Sequence, residues 1–288
     1  LTPLPPEALR VERWNALISP DPALFLRAEA PGALRVFYAV LEKAPGAEEA
    51  WRRADVVLGN SSGIIRHLAR RGIRAEDGVG GVNIARFHPP ASDARPDPPR
   101  AGSPVRGGSP VRALVYGRLS RRRKGTWAAA KAVEAAARRT GVAVELTLFD
   151  TPPPGDRDAG GALSLRIPHR WVLNPSQEEL AALYGDADVF VSAERRAGWC
   201  NTAAEAMACG AAVACTRSGT EDFARDGDSA LVARWPWAWT LAAKVAPLLR
   251  DPALRARIAA RGRERIREFP WERTAERIER VIRERLGG

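Results

Sequence analysis

Val189-Phe190-Val191-Ser192-Ala193-Glu194-Arg195-Arg196-Ala197-Gly198-Trp199-Cys200-Asn201-Thr202-Ala203-Ala204-Glu205-Ala206-Met207-Ala208-Cys209-Gly210-Ala211-Ala212-Val213-Ala214-Cys215-Thr216 decides the fold. Val189 to Ser192 is a short apolar run of β-formers, and Asn201 to Cys209 is a run of helix formers that stops at Gly210, a residue suited to a left-handed helix end. Val213 to Thr216 then returns to strand character. Strand, helix and strand in direct succession predict parallel pairing through a helical crossover.

The same alternation runs outward in both directions. Strands are predicted at Ala113 to Tyr116, Val144 to Phe149, Leu163 to Ile167 and Ala230 to Ala233, with helices at Thr126 to Arg139 and Glu178 to Tyr184, the latter behind a Pro175-Ser176 start signal. A doubly wound parallel sheet binds ligands beyond the carboxyl ends of its strands, which points to the loops after Tyr116 and Ser192. Ahead of this region a second, shorter αβ pattern is predicted, with strands at Leu34 to Ala39 and Val56 to Asn60 and helices at Glu48 to Arg53 and Ser62 to Arg71. Between the two, residues 91–112 are rich in Pro, Gly and Arg and repeat Gly-Ser-Pro-Val-Arg at 102–106 and 108–112, as a linker would. From Asp251 two amphipathic helices follow, broken at Phe269-Pro270-Trp271.

The composition narrows the function classes. With 288 residues and 45% hydrophobic content the chain can bury one large core or two ordinary ones, and its length favours two. Apolar runs such as Ala211 to Cys215 fall far short of the about 20 residues needed to span a bilayer. The N-terminal 20 residues carry no secretory signal pattern, so a cytoplasmic location is expected, with peripheral membrane contact left open. Cys200, Cys209 and Cys215 form neither a disulfide framework nor a zinc-type pair. The net charge of +11 is nearly all arginine, alternating with glutamate along helices, which fits salt-paired solvated faces better than a nucleic-acid footprint.

Two loops carry candidate chemistry. Gly117-Arg118-Leu119-Ser120 leads through Arg121, Arg122 and Arg123 to Lys124-Gly125 and a helix. A glycine lets the backbone approach a ligand, the helix start supplies positive dipole, and Arg118 and Lys124 can neutralise phosphate oxygens; a solvated basic turn is the equal alternative. The second loop, Gly198-Trp199-Cys200-Asn201-Thr202, feeds a helix bearing Glu205, a carboxylate placed to accept from the vicinal hydroxyls of a ribose, or else an ordinary helix glutamate.

Taken in order, these pieces resemble the retaining GT-B glycosyltransferases known as glycosyltransferase family 4 or glycosyl transferases group 1. The matching residues are Gly117-Arg118-Leu119 with Lys124-Gly125, Glu178-Glu179-Leu180 through Tyr184 to Ala187-Asp188-Val189-Phe190-Val191, Glu205-Ala206-Met207-Ala208-Cys209-Gly210, and Ser218-Gly219-Thr220-Glu221-Asp222-Phe223. Ala54-Asp55-Val56-Val57 with Ser61-Ser62, Gly81-Val82-Asn83 to Phe87, and Phe269-Pro270-Trp271-Glu272 add to them. The resemblance implies an α/β, GT-B-like chain of two Rossmann-like domains with parallel sheets. The expected division is a partial acceptor-side domain over 1–90, a linker over 91–112, a nucleotide-sugar-binding domain over 113–268, and a C-terminal helix over 269–288 returning to the first domain.

It further implies metal-independent transfer of a sugar from a nucleotide diphosphate sugar, with retained configuration and no cofactor, in bacterial-type polysaccharide or glycoconjugate synthesis. Arg118 and Lys124 would be the catalytic cations, Gly117, Gly198, Trp199, Cys200, Asn201, Thr202 and Glu205 would bind the donor, and base recognition would use backbone near Trp171 to Leu173. The acceptor, whether glycan, lipid or small molecule, is not specified, and no specific nucleic acid is expected.

Two departures stand out. The family's acid, separated from the ribose glutamate by seven intervening residues, falls on Ala197, leaving Glu194 as the candidate sugar contact. The family's opening strand, glycine-rich turn and helix have no counterpart before Leu34, so the first domain reads as truncated. A nucleotide-sugar-binding remnant without transfer activity is therefore the alternative. His67, His88 and His169 read as structural, Asp186-Ala187-Asp188 as strand-start chemistry and not a metal site, and the tryptophans at 235, 237 and 239 receive no site role.

Overall fold

The computed structural model describes residues 14–41, 44–90, 109–152 and 163–287. They form two compact units, the described parts of 1–81, 196–199 and 271–288, and the described parts of 82–195 and 200–270. Most of the expected linker, residues 91–108, lies outside the described residues.

In the first unit, the described strands β1 (Ala16–Ser19), β2 (Leu34–Ala39), β3 (Val56–Gly59) and β4 (Glu76–Asp77) pair in that order, all parallel. The connections are the helices α1 (Pro22–Arg27), α2 (Ala47–Arg53) and α3 (Ser62–Ala69). Side chains alternate across a strand, so β2 sends Phe37 and Ala39 to one face and Val36 to the other. The first face packs on Phe25, Trp51, Ile64 and Leu68 of the helices, and the second joins Val56 and Leu58 to Ile278, Val281 and Ile282 of the C-terminal helix Trp271–Gly287. Each fully buried side chain of this kind contributes roughly 1.5–3 kcal/mol. β1 and α1 are absent from the sequence-based expectation. β1 is only four residues long and half-exposed, whereas α1 has a readable start, since Asp21 accepts from the Leu24 amide at 2.9 Å and Pro22 fills the first helical position. A strand and helix thus do precede Leu34, though the turn Pro20-Asp21 contains no glycine.

The second unit is built on a parallel sheet of β5 (Val111–Tyr116), β6 (Val144–Asp150), β7 (His169–Leu173), β8 (Val189–Ser192), β9 (Ala212–Thr216) and β10 (Leu231–Ala233), ordered β10-β9-β8-β5-β6-β7. Here α4 (Thr126–Thr140), α5 (Gln177–Asp186), α6 (Asn201–Ala208), α7 (Ala238–Arg250) and α8 (Pro252–Ile266) cover the sheet, and α9 is the Trp271–Gly287 helix of the first unit. The chain runs outward from β5 to β7 and then back to β8 and outward to β10. The order therefore reverses between β5 and β8, the switch point where such sheets open a ligand crevice.

Three expectations need correction. The strand foreseen at Leu163 to Ile167 is unpaired, and the edge strand is β7, registered from Leu146 opposite His169 to Asp150 opposite Leu173. Pro168 has no N–H to give a ladder, so pairing starts at its carbonyl, which accepts from the Leu146 amide at 3.1 Å, while Leu163 is buried against the core and Leu165 and Ile167 pack on it. Val111 and Arg112, read as the end of the linker, belong to β5. Helix α7 is absent from the sequence-based expectation because Pro247 interrupts its pattern, yet it buries Leu241, Val245, Leu248 and Leu249.

Candidate functional site

β5 ends at Gly117, whose N–H donates to the Phe149 carbonyl at 2.6 Å. A Cβ there would stand 2.4 Å from the Trp171 ring, so only glycine lets the loop leave the sheet along this line. Arg118 then turns into the protein. Its Nε donates to Asp150 Oδ1 at 2.7 Å, a second guanidinium nitrogen donates to the Thr151 carbonyl, and the residue is 5% exposed. The sequence reading had Arg118 facing a phosphate and assigned Asp150 no part; an acidic residue closing an apolar strand was the available signal.

After a short 3-10 turn over Arg122–Lys124, Gly125 adopts φ +68° and abuts the end of β8, where a Cβ would lie 2.2 Å from the Ala193 carbonyl oxygen. The Thr126 hydroxyl donates to the Tyr116 carbonyl at 2.9 Å, closing the loop onto β5. The result places Lys124 against Glu194, just beyond β8. Lys124 Nζ and Glu194 Oε1 form a short ion pair, Arg123 lies 3.6 Å from the same oxygen, and the Cys200 thiol donates to Oε2 at 3.1 Å. The Thr216 hydroxyl holds the Glu194 carbonyl at 2.6 Å. Glu194 is 3% exposed. A carboxylate so buried is tolerable only because it is paired and hydrogen-bonded. Two cations against one carboxylate leave the cluster with a surplus positive charge. Burial first, and then the Glu194 charge, push the Cys200 thiol far above its ordinary range, so it stays a neutral donor.

Cys200 precedes α6, whose first turn has no side-chain cap, so its leading amides point outward with the positive end of the helix dipole. Asn201 is exposed at the first helical position, and Thr202 Oγ1 lies 3.6 Å from Cys200 Sγ. Glu205 sits just over one turn in and accepts from the Tyr184 hydroxyl at 2.8 Å. Burial raises the Glu205 carboxyl pKa, and the Tyr184 hydrogen bond works against that rise. Tyr184 itself is wholly buried in ring contacts with Phe87, Phe149 and Phe190.

Gly117, Arg118, Lys124, Glu194, Cys200, Asn201, Thr202 and Glu205 thus all belong to the second unit, around the carboxyl ends of β5 and β8 and the start of α6. Gly198 and Trp199, immediately ahead of Cys200 in the chain, are grouped with the first unit. A Cβ on Gly198 would meet Asn60 Oδ1 at 2.0 Å, Trp199 lies over Gly80, and Ala197 bridges Leu41. His67, His88 and His169 stand outside the cluster, with ring or backbone partners of their own. Asp188 accepts from the Arg112 amide at 2.9 Å, fixing the start of β5 beside β8.

Residues 110–251 match the family model described as glycosyl transferases group 1, a span that takes in every strand of the second unit. No curated protein sequence matches the chain. Among solved structures the chain is similar to sucrose-phosphate synthase from Thermosynechococcus elongatus, with 25% identity, TM-score 0.68, and coverage of 84% of this chain and 61% of that one. It is similar to Anabaena HepE in complex with UDP-glucose, with 16% identity, TM-score 0.70, and coverage of 93% and 78%. The C-terminal domain of a glycosyl transferase group 1 family protein from Francisella tularensis aligns with 21% identity, TM-score 0.51, and coverage of 65% and 97%. The chain therefore spans about three fifths of the length of the synthase structure. Its fold is of GT-B type, with two Rossmann-like units on parallel sheets.

Proposed function

We propose that this protein is a glycosyltransferase that binds a nucleotide diphosphate sugar at the β5–β8 switch point and transfers the sugar to an acceptor with retained configuration, without metal or cofactor. The observation that carries the reading is the surplus positive charge of Lys124 and Arg123 over Glu194, set beside the uncapped amides of α6. That arrangement suits a diphosphate, stabilising negative charge that grows on it as the sugar departs. Arg118 anchors the loop from behind, its own charge answered by Asp150. Glu205, aligned by Tyr184, accepts from the ribose hydroxyls, with Cys200, Asn201 and Thr202 lining the helix start. Glu194 is the carboxylate nearest Lys124 and stands in for the acid missing at Ala197 as the sugar contact. Anabaena HepE has been captured with UDP and with UDP-glucose, which supports a uridine nucleotide as the first donor to try. Among the described residues no helix is long and apolar enough to cross a membrane, and we place the activity in the cytoplasm.

A second reading is a binding module that no longer transfers. It is favoured by the engagement of both Glu194 oxygens, one with Lys124 and one with Cys200, which leaves the substitute acid occupied.

Calorimetric titration with UDP, GDP and ADP in the presence of chelator tests the donor site. Micromolar binding of one nucleotide, about -8 kcal/mol at 1 μM, that is lost in Lys124→Ala supports it. A folded protein that binds none overturns both readings. Binding without sugar release or transfer from the matching nucleotide sugars selects the second, and an α- or β-anomer assignment of any product by NMR decides retention.

A further inference from the structure

The tryptophans at 235, 237 and 239 form an exposed stack in the segment from β10 into α7. Trp235 and Trp237 have ring centroids 5.8 Å apart at 20°, and Trp237 and Trp239 are 5.8 Å apart at 35°. Trp239 is 67% exposed, and the other two are about half-exposed. Trp127, also exposed, occupies the second position of α4, as Trp239 does in α7. These two helices pack along one another, and each follows a strand of the same parallel sheet, so both tryptophans stand at its carboxyl end. Water tolerates isolated exposed indoles, but a cluster of this size marks a contact surface.

Arginine surrounds the cluster. The Arg234 guanidinium lies 5.5 Å over the Trp235 ring. Arg195 donates from its side chain to the Pro236 carbonyl at 3.1 Å, and its backbone N–H donates to the Arg123 carbonyl at 2.8 Å, which joins the tryptophan segment to the basic run Arg121-Arg122-Arg123. Arg121, Arg122, Arg195 and Arg234 are all exposed.

The geometry discriminates between occupants. A platform for a sugar ring needs a bare aromatic face, whereas Trp235 and Trp237 turn faces toward each other, toward Trp239 and toward Arg234, and only the terminal Trp239, 67% exposed, has a single such neighbour. What the stack offers outward is a continuous strip of indole, apolar in its body and carrying ring N–H donors. That is what the headgroup level of a bilayer accepts, and the flanking arginines complement acidic lipid. We infer that the stack of Trp235, Trp237 and Trp239, with Trp127 and Arg121, Arg122, Arg195 and Arg234, seats the second unit on an anionic bilayer surface. The inference goes beyond the donor chemistry and stands whether or not the chain transfers sugar.

The test is sedimentation of the full chain at low salt with vesicles of phosphatidylcholine alone and of phosphatidylcholine mixed with phosphatidylglycerol, alongside indole emission. Binding to the mixed vesicles with a blue shift is expected, with affinity falling about fivefold for each arginine replaced in Arg121→Ser and Arg122→Ser. The triple variant Trp235→Ser, Trp237→Ser, Trp239→Ser should lose most of the binding and the blue shift while its circular dichroism and its titration with UDP, GDP and ADP match those of the parent. A folded parent that ignores phosphatidylglycerol vesicles overturns the inference. So does binding that survives the triple substitution, or retention on duplex DNA in place of vesicles.

Discussion

Arg118 and Asp150 form an ion pair of 2.7 Å in which both side chains are almost wholly removed from water, their exposures being 6% and 2%. Removing one partner leaves a buried charge unanswered, which typically costs 3–5 kcal/mol, whereas removing both can be neutral. Asp150→Ala should therefore lower unfolding stability by about 3 kcal/mol, and adding Arg118→Met should recover much of it. Urea titration of the parent, both single variants and the double variant measures the coupling. Additive losses would mean that the pair holds nothing in common.

Lys124 and Glu194 should separate binding from turnover. If the diphosphate competes with Glu194 for the ammonium, Glu194→Gln releases Lys124, so nucleotide affinity should rise while any sugar transfer falls. Lys124→Ala should do the reverse to affinity, weakening it by about a hundredfold, because Glu194 then loses its shortest ion pair and Arg123, 3.6 Å away, offsets less of its charge toward the phosphates. Weaker nucleotide binding in a folded Glu194→Gln protein would count against a shared cation.

Glu205 gives a pH signature. Its carboxyl pKa is raised in the folded chain, first by burial, so the native state holds its proton to higher pH than the unfolded state does. Stability from this group is complete below the unfolded value, about 4.3, and is lost as pH rises through the folded value. Glu205→Gln keeps an acceptor for Tyr184 but carries no charge, so its stability relative to the parent should grow as pH climbs from 4 towards neutrality. Its nucleotide affinity should fall, since a neutral amide accepts ribose hydroxyls less strongly. Denaturation midpoints across pH for parent and variant check the slope; parallel curves would deny the burial effect.

Gly125→Ala should damage both the fold and the site. The substitution meets a left-handed φ of +68° and a carbonyl oxygen 2.2 Å from the new methyl group. Conformational strain alone costs about 1–2 kcal/mol. A clearly lowered Tm with loss of nucleotide binding is expected, and an unchanged Tm would show that the loop yields without cost.

Legibility in the sequence follows the physics of each signal. The doubly wound sheet is readable because buried parallel strands such as Val189–Ser192 and Ala212–Thr216 are apolar up to a final hydroxyl residue and alternate with helices. The loops at Gly117 and Cys200 followed from where such sheets bind. Edge elements were less legible. β7 carries His169 and Arg170 and is largely exposed, so a more apolar neighbour, Leu163 to Ile167, drew the assignment. Pair partners were not legible at all: Asp150 is 32 positions from Arg118, and only the register of β5 on β6 brings them together. The close packing of Gly198 on Asn60 and of Trp199 on Gly80 was equally illegible, because it joins residues more than 100 positions apart.

The chain has three sulfhydryls, Cys200, Cys209 and Cys215, all buried and all in the second unit. Burial lifts the latter two to about 12 and Cys200 further still, so at neutral pH each is both hidden and protonated. A thiol in that state reacts with an alkylating reagent only when its surroundings come apart. The cysteines thus act as a built-in clock for the second unit alone. Cys200, tied to Glu194, times the loosening of the loop around Lys124, while Cys215, within β9, times the opening of the sheet itself.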